Sequence, residues 1–177
     1  GDGSAIEEAV LMYLALDRHG IDYVPAAESR DIPSINHLTE QPGERRNTLV
    51  ESARLGRGKI QNLATLSPDD MDALLIPGGL GIRQFLDSQA VPALVQAFHS
   101  QQKSIGAVCA VIDLLRKWLD PNLLKEEAKS LPASAFCHDS LHRVFYSPAF
   151  RAGGNLAEID RGIDAMIGAM AEQAEPR

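Results

Sequence analysis

Cys109 follows the apolar run 104–108 and precedes a segment of helical period, so its thiol stands where a strand turns into a helix. Small residues flank it, with Gly106 and Ala107 before and Ala110 after. That is the arrangement of a nucleophile elbow with sulfur in place of a serine oxygen. The start of the following helix offers free N–H groups and a partial positive charge, and both favour a thiolate. A second strand end carries Pro77-Gly78-Gly79-Leu80-Gly81, where backbone amides can be approached closely because glycine lacks a Cβ. An amide of Gly78 or Gly79, with that of Ala110, is the candidate oxyanion hole beside a nucleophilic Cys109. A plainer reading stands next to this one. A cysteine after an apolar strand also serves as a small buried hydrophobe, and Pro-Gly-Gly also serves as a simple turn.

The elements that must position these residues alternate in type. A first helix is expected over 4–19, with Ser4 as its cap, Glu7 as the capping-box partner and Ile6, Val10, Tyr13 and Leu14 as its apolar stripe. Gly20 stops it, and a short strand over 21–26 ends near Pro25. Residues 31–45 are polar, contain Pro33, Pro42 and Gly43, and read as an excursion from the core. A helix over 47–55 ends at Gly56 and Gly58, and Ser67-Pro68-Asp69-Asp70 is another helix start. The continuous apolar run 73–76 fits a parallel strand buried on both faces. Helices over 92–101, 110–119 and 155–171, with a late strand over 143–147, complete the pattern. Strands alternating with helices imply an α/β fold with a doubly wound parallel sheet.

Bulk properties bound the function. A chain of 177 residues suits one domain over 1–177. The formal charge of −7 speaks against a nucleic-acid partner, which needs a clustered basic face. No apolar run approaches the roughly 20 residues that span a bilayer, so no membrane contact is expected, and no secretory signal is visible. Two cysteines without a CxxC or His-x-x-x-His pattern give neither a disulfide framework nor a metal site. The default compartment is reducing and cytoplasmic. An organelle stays open, because a removed targeting peptide leaves no trace.

The segments Asp72-Ala73-Leu74-Leu75-Ile76-Pro77-Gly78-Gly79 and Ile105-Gly106-Ala107-Val108-Cys109 resemble the two signatures of the ThiJ/PfpI (class I glutamine-amidotransferase-like) superfamily. Ile35-Asn36-His37-Leu38-Thr39, Arg46-Asn47, Val50-Glu51-Ser52-Ala53-Arg54 and Arg57-Gly58-Lys59-Ile60 resemble its enhancing-lycopene-biosynthesis (ElbB-like) branch, as does Asp2-Gly3-Ser4. The likeness covers residues 2 to 110, returns at Ser147-Pro148-Ala149 and is poor from Leu114 to His142. It implies a flavodoxin-like sandwich, usually a homodimer; no cofactor is expected. It also implies a glutamate on the first helix that touches the cysteine, which falls on Glu8 rather than Glu7. A buried carboxyl beside a thiolate stays protonated, since two anions repel, and its O–H then stabilises the sulfur. Members of the branch act as glutathione-independent glyoxalases, so a small aldehyde or dicarbonyl is the implied substrate.

The sequence also departs from the family. It starts where the family's first helix starts, so the first, normally central strand is missing from it and unpaired strand edges are expected. Cys109 is followed by Ala110, Val111, Ile112 and Asp113, bulkier than the small residues and proline of relatives. No histidine partner can be placed; His138 and His142 read as surface residues, and Cys137 lies in an unmatched loop. His37, Arg46 and Asn47 are possible substrate-binding residues, His37 and the Arg45-Arg46 pair as a lid or an anionic-ligand contact. For the pair and His37, capping their loop or bridging a dimer is the preferred reading. Met166, Ile167 and Met170 suit core or dimer packing. A non-catalytic binding or stress-regulatory module is the alternative to the enzyme, and a glutaminase ranks third because no Cys-His-Glu triad is visible.

Overall fold

The computed structural model describes residues 3–173. Its central sheet has four strands in the order β5 (Ala73–Ile76), β6 (Ser104–Val108), β8 (Val144–Ser147) and β7 (Cys137–Asp139). β5, β6 and β8 run parallel, and β7 lies antiparallel on the far edge. Helices cover both faces. α3 (Ala90–Ser100) and α4 (Val111–Trp118) enclose Val95, Phe98, Ile105, Ala107, Leu115 and Tyr146. α1 (Ile6–Arg18) and α5 (Leu156–Gln173) enclose Met12, Leu16, Val108, Phe145, Ile163 and Met166 on the other side. Successive side chains of a strand point to opposite faces, so one strand builds both layers. Ile105 and Ala107 enter one core while Val108 enters the other. This is the α/β sandwich that the alternating pattern implies. Met166, Ile167 and Met170 are buried, which assigns them to the core.

Several local expectations are corrected. α1 begins after Ala5, with no side-chain cap, so Ser4 and Glu7 form no capping box. Tertiary contact replaces it, because the Ala5 amide donates to the Gly78 carbonyl at 2.9 Å. The helix also turns its other face inward. Ile6 is 61 % exposed, with Val10 and Leu14 also at the surface, whereas Glu8, Ala9, Met12, Ala15 and Leu16 are buried. The strand expected over 21–26 is reduced to β1 (Ala26–Ala27), which pairs in parallel with β4 (Gln61–Asn62). Pro25 has no N–H for a ladder and contributes only its carbonyl, which accepts from the Gln61 amide at 2.9 Å. The polar excursion is an antiparallel hairpin, β2 (Asp31–Asn36) with β3 (Gln41–Asn47), whose register shifts at Pro33. α2 (Thr48–Leu55) follows, capped by the Asn47 side chain on the Leu49 and Val50 amides.

β5 is not buried on both faces as its run of apolar residues suggests. It is an edge strand, with Ala73 exposed and Leu74 and Leu75 half-buried. Beside it runs a groove of about 890 Å³, mainly apolar, lined among others by Met12, Tyr23, Leu74, Leu75, Phe85 and Met170. No helix among the described residues is long and apolar enough to cross a membrane.

Candidate functional site

β6 runs straight into Cys109, which adopts φ +56° before α4 begins. A left-handed backbone is costly for a residue with a Cβ and persists only where the surroundings enforce it. Here the Cys109 amide donates to the Ser147 carbonyl at 2.9 Å, extending the β6–β8 ladder by one bond while the chain turns. The thiol is thereby left half-buried at the carboxyl edge of the sheet, where ligands of open parallel sheets bind.

Gly78 and Gly79 hold the opposite wall. A Cβ on Gly78 would meet Glu8 Oε2 at 2.5 Å, Cys109 Cβ at 2.6 Å and the Val108 carbonyl at 2.7 Å. Only glycine lets the carboxyl, the cysteine and this turn converge. Gly79 has φ +110° and lies against the Ala5 amide, so the turn also fixes the start of α1 and with it Glu8. Three chain-distant elements therefore meet at one point.

Glu8 is fully buried. Its carboxyl pKa lies above the ordinary carboxylate value, because burial outweighs the Cys109 thiol and the backbone amides of Phe150 and Gly78 that favour the charge. Those groups surround the carboxyl, yet neither of its oxygens makes a hydrogen bond of good length and angle. Proximity is thus real, and full compensation is not. The Cys109 thiol is also raised, first by burial and then by the Glu8 charge, while the amides of Ala110 and Arg151 pull it down. The start of α4 assists the thiolate through Ala110, as the sequence led us to expect, but burial and Glu8 outweigh it. Two raised neighbours titrate as a pair, so the last proton they share is held to high pH.

The other residues singled out from the sequence take the following places. The Gly78 amide acts on the Glu8 carboxyl, and Gly78 itself lies directly against Cys109. His37 lies on the exposed hairpin turn. Arg46 pairs with Glu44 at 2.8 Å, and Asn47 caps α2 and donates to Asp31 at 3.0 Å. The bonds described for Arg46 and Asn47 go to residues within 29–51, not to Glu8 or Cys109. His138 and His142 are half-buried rather than on the surface. His138 stacks on Phe145 at 4.0 Å, while His142 holds Asp139 at 3.0 Å and stacks on His99. Cys137 belongs to strand β7 rather than to a loop, and burial pushes its thiol up to about 11.

Sequence reasoning missed two participants, the backbone amides of Phe150 and Arg151. They belong to the 3₁₀ turn Ala149–Ala152 after β8, where Ala149 also has a positive φ of 47°. A backbone amide leaves no mark on residue type; the only signal was Ser147-Pro148-Ala149, which carried the resemblance without a role. Asp113, one of the residues that depart from relatives, holds the Arg151 guanidinium at 2.7 Å and so steadies this turn from α4. Val111 and Ile112 are buried among the core residues under α4. Among the described residues no cluster of His, Cys, Asp and Glu has the arrangement of a metal site.

Comparison with known proteins gives a consistent picture. Residues 39–123 match the model of the DJ-1/PfpI family. The rat ES1 protein homolog, mitochondrial, is 30% identical over 204 aligned positions, covering 94% of this chain and 77% of that protein. The human glutamine amidotransferase-like class 1 domain-containing protein 3, mitochondrial, is 32% identical over 94% of this chain and 76% of its own. Both alignments are longer than the 177 residues of this chain, so these relatives carry internal segments that it lacks. Among solved structures, an isoprenoid biosynthesis protein with an amidotransferase-like domain from Ehrlichia chaffeensis superimposes with a TM-score of 0.86 at 29% identity, over 97% of this chain and 93% of that one. Drosophila melanogaster DJ-1beta shares the fold at a TM-score of 0.57 and 17% identity, over 98% of this chain and 86% of its own. The flavodoxin-like sandwich implied by the sequence is the fold of these neighbours.

Proposed function

We propose that this chain, which belongs to the DJ-1/PfpI family, is a cysteine-dependent enzyme that converts small reactive dicarbonyls such as glyoxal to hydroxy acids without glutathione. The observation that carries this reading is a fully buried carboxyl, Glu8, set against Cys109 at a strained strand-to-helix turn. In the one-proton state of the pair, the form with Glu8 protonated and sulfur ionised is the nucleophile. The thiolate adds to one aldehyde carbon of glyoxal, and the carbonyl oxygen takes up a proton to give a hemithioacetal. Glu8, now a carboxylate, removes the C–H proton of that carbon and the pair of electrons passes to the neighbouring carbonyl as an enediol. Return of that proton from Glu8 to the second carbon, with the hydroxyl proton of the first carbon passing to the second oxygen, leaves a glycolyl thioester. Water cleaves the thioester, releasing glycolate and regenerating the thiol. One carbon is oxidised and its neighbour reduced, so no external oxidant is needed.

The amides of Ala110 and Arg151 are the donors we assign to the developing oxyanion, with Gly78 and Gly79 as the wall that positions Glu8. The raised Cys109 thiol makes the ionised sulfur the scarcer requirement of this form, while the raised Glu8 favours the protonated carboxyl that it needs. A substrate contact by His37, Arg46 or Asn47 ranks below these assignments, since Arg46 and Asn47 already serve local structure. The reading includes one domain and a homodimer, the latter tested by light scattering in solution. For the compartment, the mitochondrial relatives favour an organelle over the cytoplasm.

The test is direct. The purified chain, incubated with ¹³C-glyoxal and followed by NMR, produces glycolate, and Cys109→Ser abolishes it. Unchanged turnover in that variant overturns the mechanism. A second reading, a non-catalytic binding or stress-regulatory module, is favoured by the net upward push on the thiol and the poorly bonded Glu8 carboxyl. It is upheld if the well-folded protein yields no glycolate at all. A glutaminase has less behind it, since no histidine figures among the groups acting on Cys109.

A further inference from the structure

We propose that the cavity walled by α4, residues 125–129 and Arg151 binds a small dianion, a phosphate monoester or a dicarboxylate. The cavity measures about 270 Å³, and Arg116, Lys125, Lys129 and Arg151 line it together with Tyr146. In a chain whose net charge is −7, four cations converging on one concavity are a local reversal of sign. A cleft with low-dielectric walls focuses such a field on a ligand of opposite charge.

Two carboxylates offset part of this charge. Asp113 accepts from Arg151 at 2.7 Å and from Arg116 at 3.3 Å, and Glu126 pairs with Lys129 at 2.8 Å. Neither of these carboxylates lines the cavity itself, and nor does Glu127, which acts on Cys137 together with Arg116. Four cations against the two carboxylates that pair with them leave a positive excess, the sign that a small dianion needs.

Arg116 is also held in place. Arg116 donates from Nε to the Leu123 carbonyl at 2.9 Å and from Nη2 to the Leu124 carbonyl at 3.1 Å. With Asp113 on Nη1, its guanidinium is fixed before any ligand arrives, and preorganised forks suit carboxylate and phosphate oxygens. Tyr146 is fully buried, and burial keeps its phenol neutral, with its O–H inside the field of Arg151. At liquid water's roughly 30 Å³ per molecule, the cavity holds on the order of nine non-hydrogen atoms. That is the size of a two- or three-carbon phosphate ester or dicarboxylate. The assignment does not depend on turnover at Cys109, although Arg151 borders both places through its amide and its side chain.

Titration calorimetry on the full chain at low salt tests it, with glycerol 3-phosphate, malonate and uncharged glycerol as probes. One-to-one binding of a dianion is expected, with no heat from glycerol. The paired substitution Lys125→Met/Lys129→Met weakens it tenfold or more, as does Arg151→Gln, while Lys59→Met, on an exposed residue elsewhere, leaves it unchanged. Circular dichroism confirms that each variant is folded. Tighter binding of glycerol 3-phosphate assigns a phosphate monoester, and tighter binding of malonate assigns a dicarboxylate. Absence of binding by both dianions, or equal affinity in the cavity variants and the parent chain, overturns the proposal.

Discussion

Cys109 and Cys137 are both half-buried thiols at the sheet, and burial raises the pKa of both. Their surroundings differ. Cys137 sits on the edge strand β7, paired with Tyr146 across a regular antiparallel ladder. Its charged neighbours, Glu127 and Arg116, act in opposite directions. Cys109 stands at a positive φ, faces a buried carboxyl and is approached by two backbone amides from different elements. The comparison teaches that burial of sulfur is not what marks a site. What marks it is convergence, where a strained turn, a glycine wall and a carboxyl from another helix are held together against their individual costs.

The largest effect that sharpens this contrast is on turnover. Cys109→Ser should eliminate glycolate formation, whereas Cys137→Ser should leave it within about twofold, as expected of a substitution away from the reacting atoms. Loss of activity in both variants would erase the distinction.

The next is on stability. Gly79→Ala combines a positive φ with a Cβ driven into the Ala5 amide, and should cost about 3 kcal/mol in urea unfolding. Gly58→Ala, also at positive φ but with open space around it, should cost about 1 kcal/mol. Equal losses would show that the contact with α1 contributes nothing.

A smaller effect concerns Glu8 and pH. Its folded pKa lies above the unfolded value of 4.5. Below that value the carboxyl is protonated in both states and stability is at its highest. As pH rises, the unfolded chain releases the proton first, so stability falls until the folded carboxyl also ionises, then levels off. Glu8→Gln should remove that decline and leave the variant more stable than the parent above it. A decline of the same size in both proteins would mean that Glu8 is not the titrating group.

How much of this was legible in the sequence follows the same physical division. β6 and its turn were readable because a continuous apolar run with small residues ends in cysteine, and few structures suit that pattern. β5 was found but read as fully buried from its apolar run, while the separate expectation of unpaired strand edges, drawn from the family likeness, is the one that fits it. α1 was found with its faces inverted. Ile6, Val10 and Leu14 keep helical spacing as well as Met12, Ala15 and Leu16 do, and packing on α5 decided between them. Glu8 on residue type alone resembles any solvated carboxylate near a helix start, and only the family likeness singled it out. The hairpin of β2 and β3 was missed because two largely exposed strands with prolines show no alternation. The Phe150 and Arg151 amides were beyond reach, because the chain positions them through backbone geometry alone.

The central claim is that Glu8 and Cys109 form one coupled pair, and the pH dependence of thiol alkylation, followed cysteine by cysteine by mass spectrometry, tests it most directly. In Glu8→Gln the charge that raises the Cys109 thiol is gone, so the alkylation midpoint of Cys109 should fall while that of Cys137 stays near 11. A Cys109 midpoint unmoved by the substitution, or a shift of equal size at Cys137, would contradict the account.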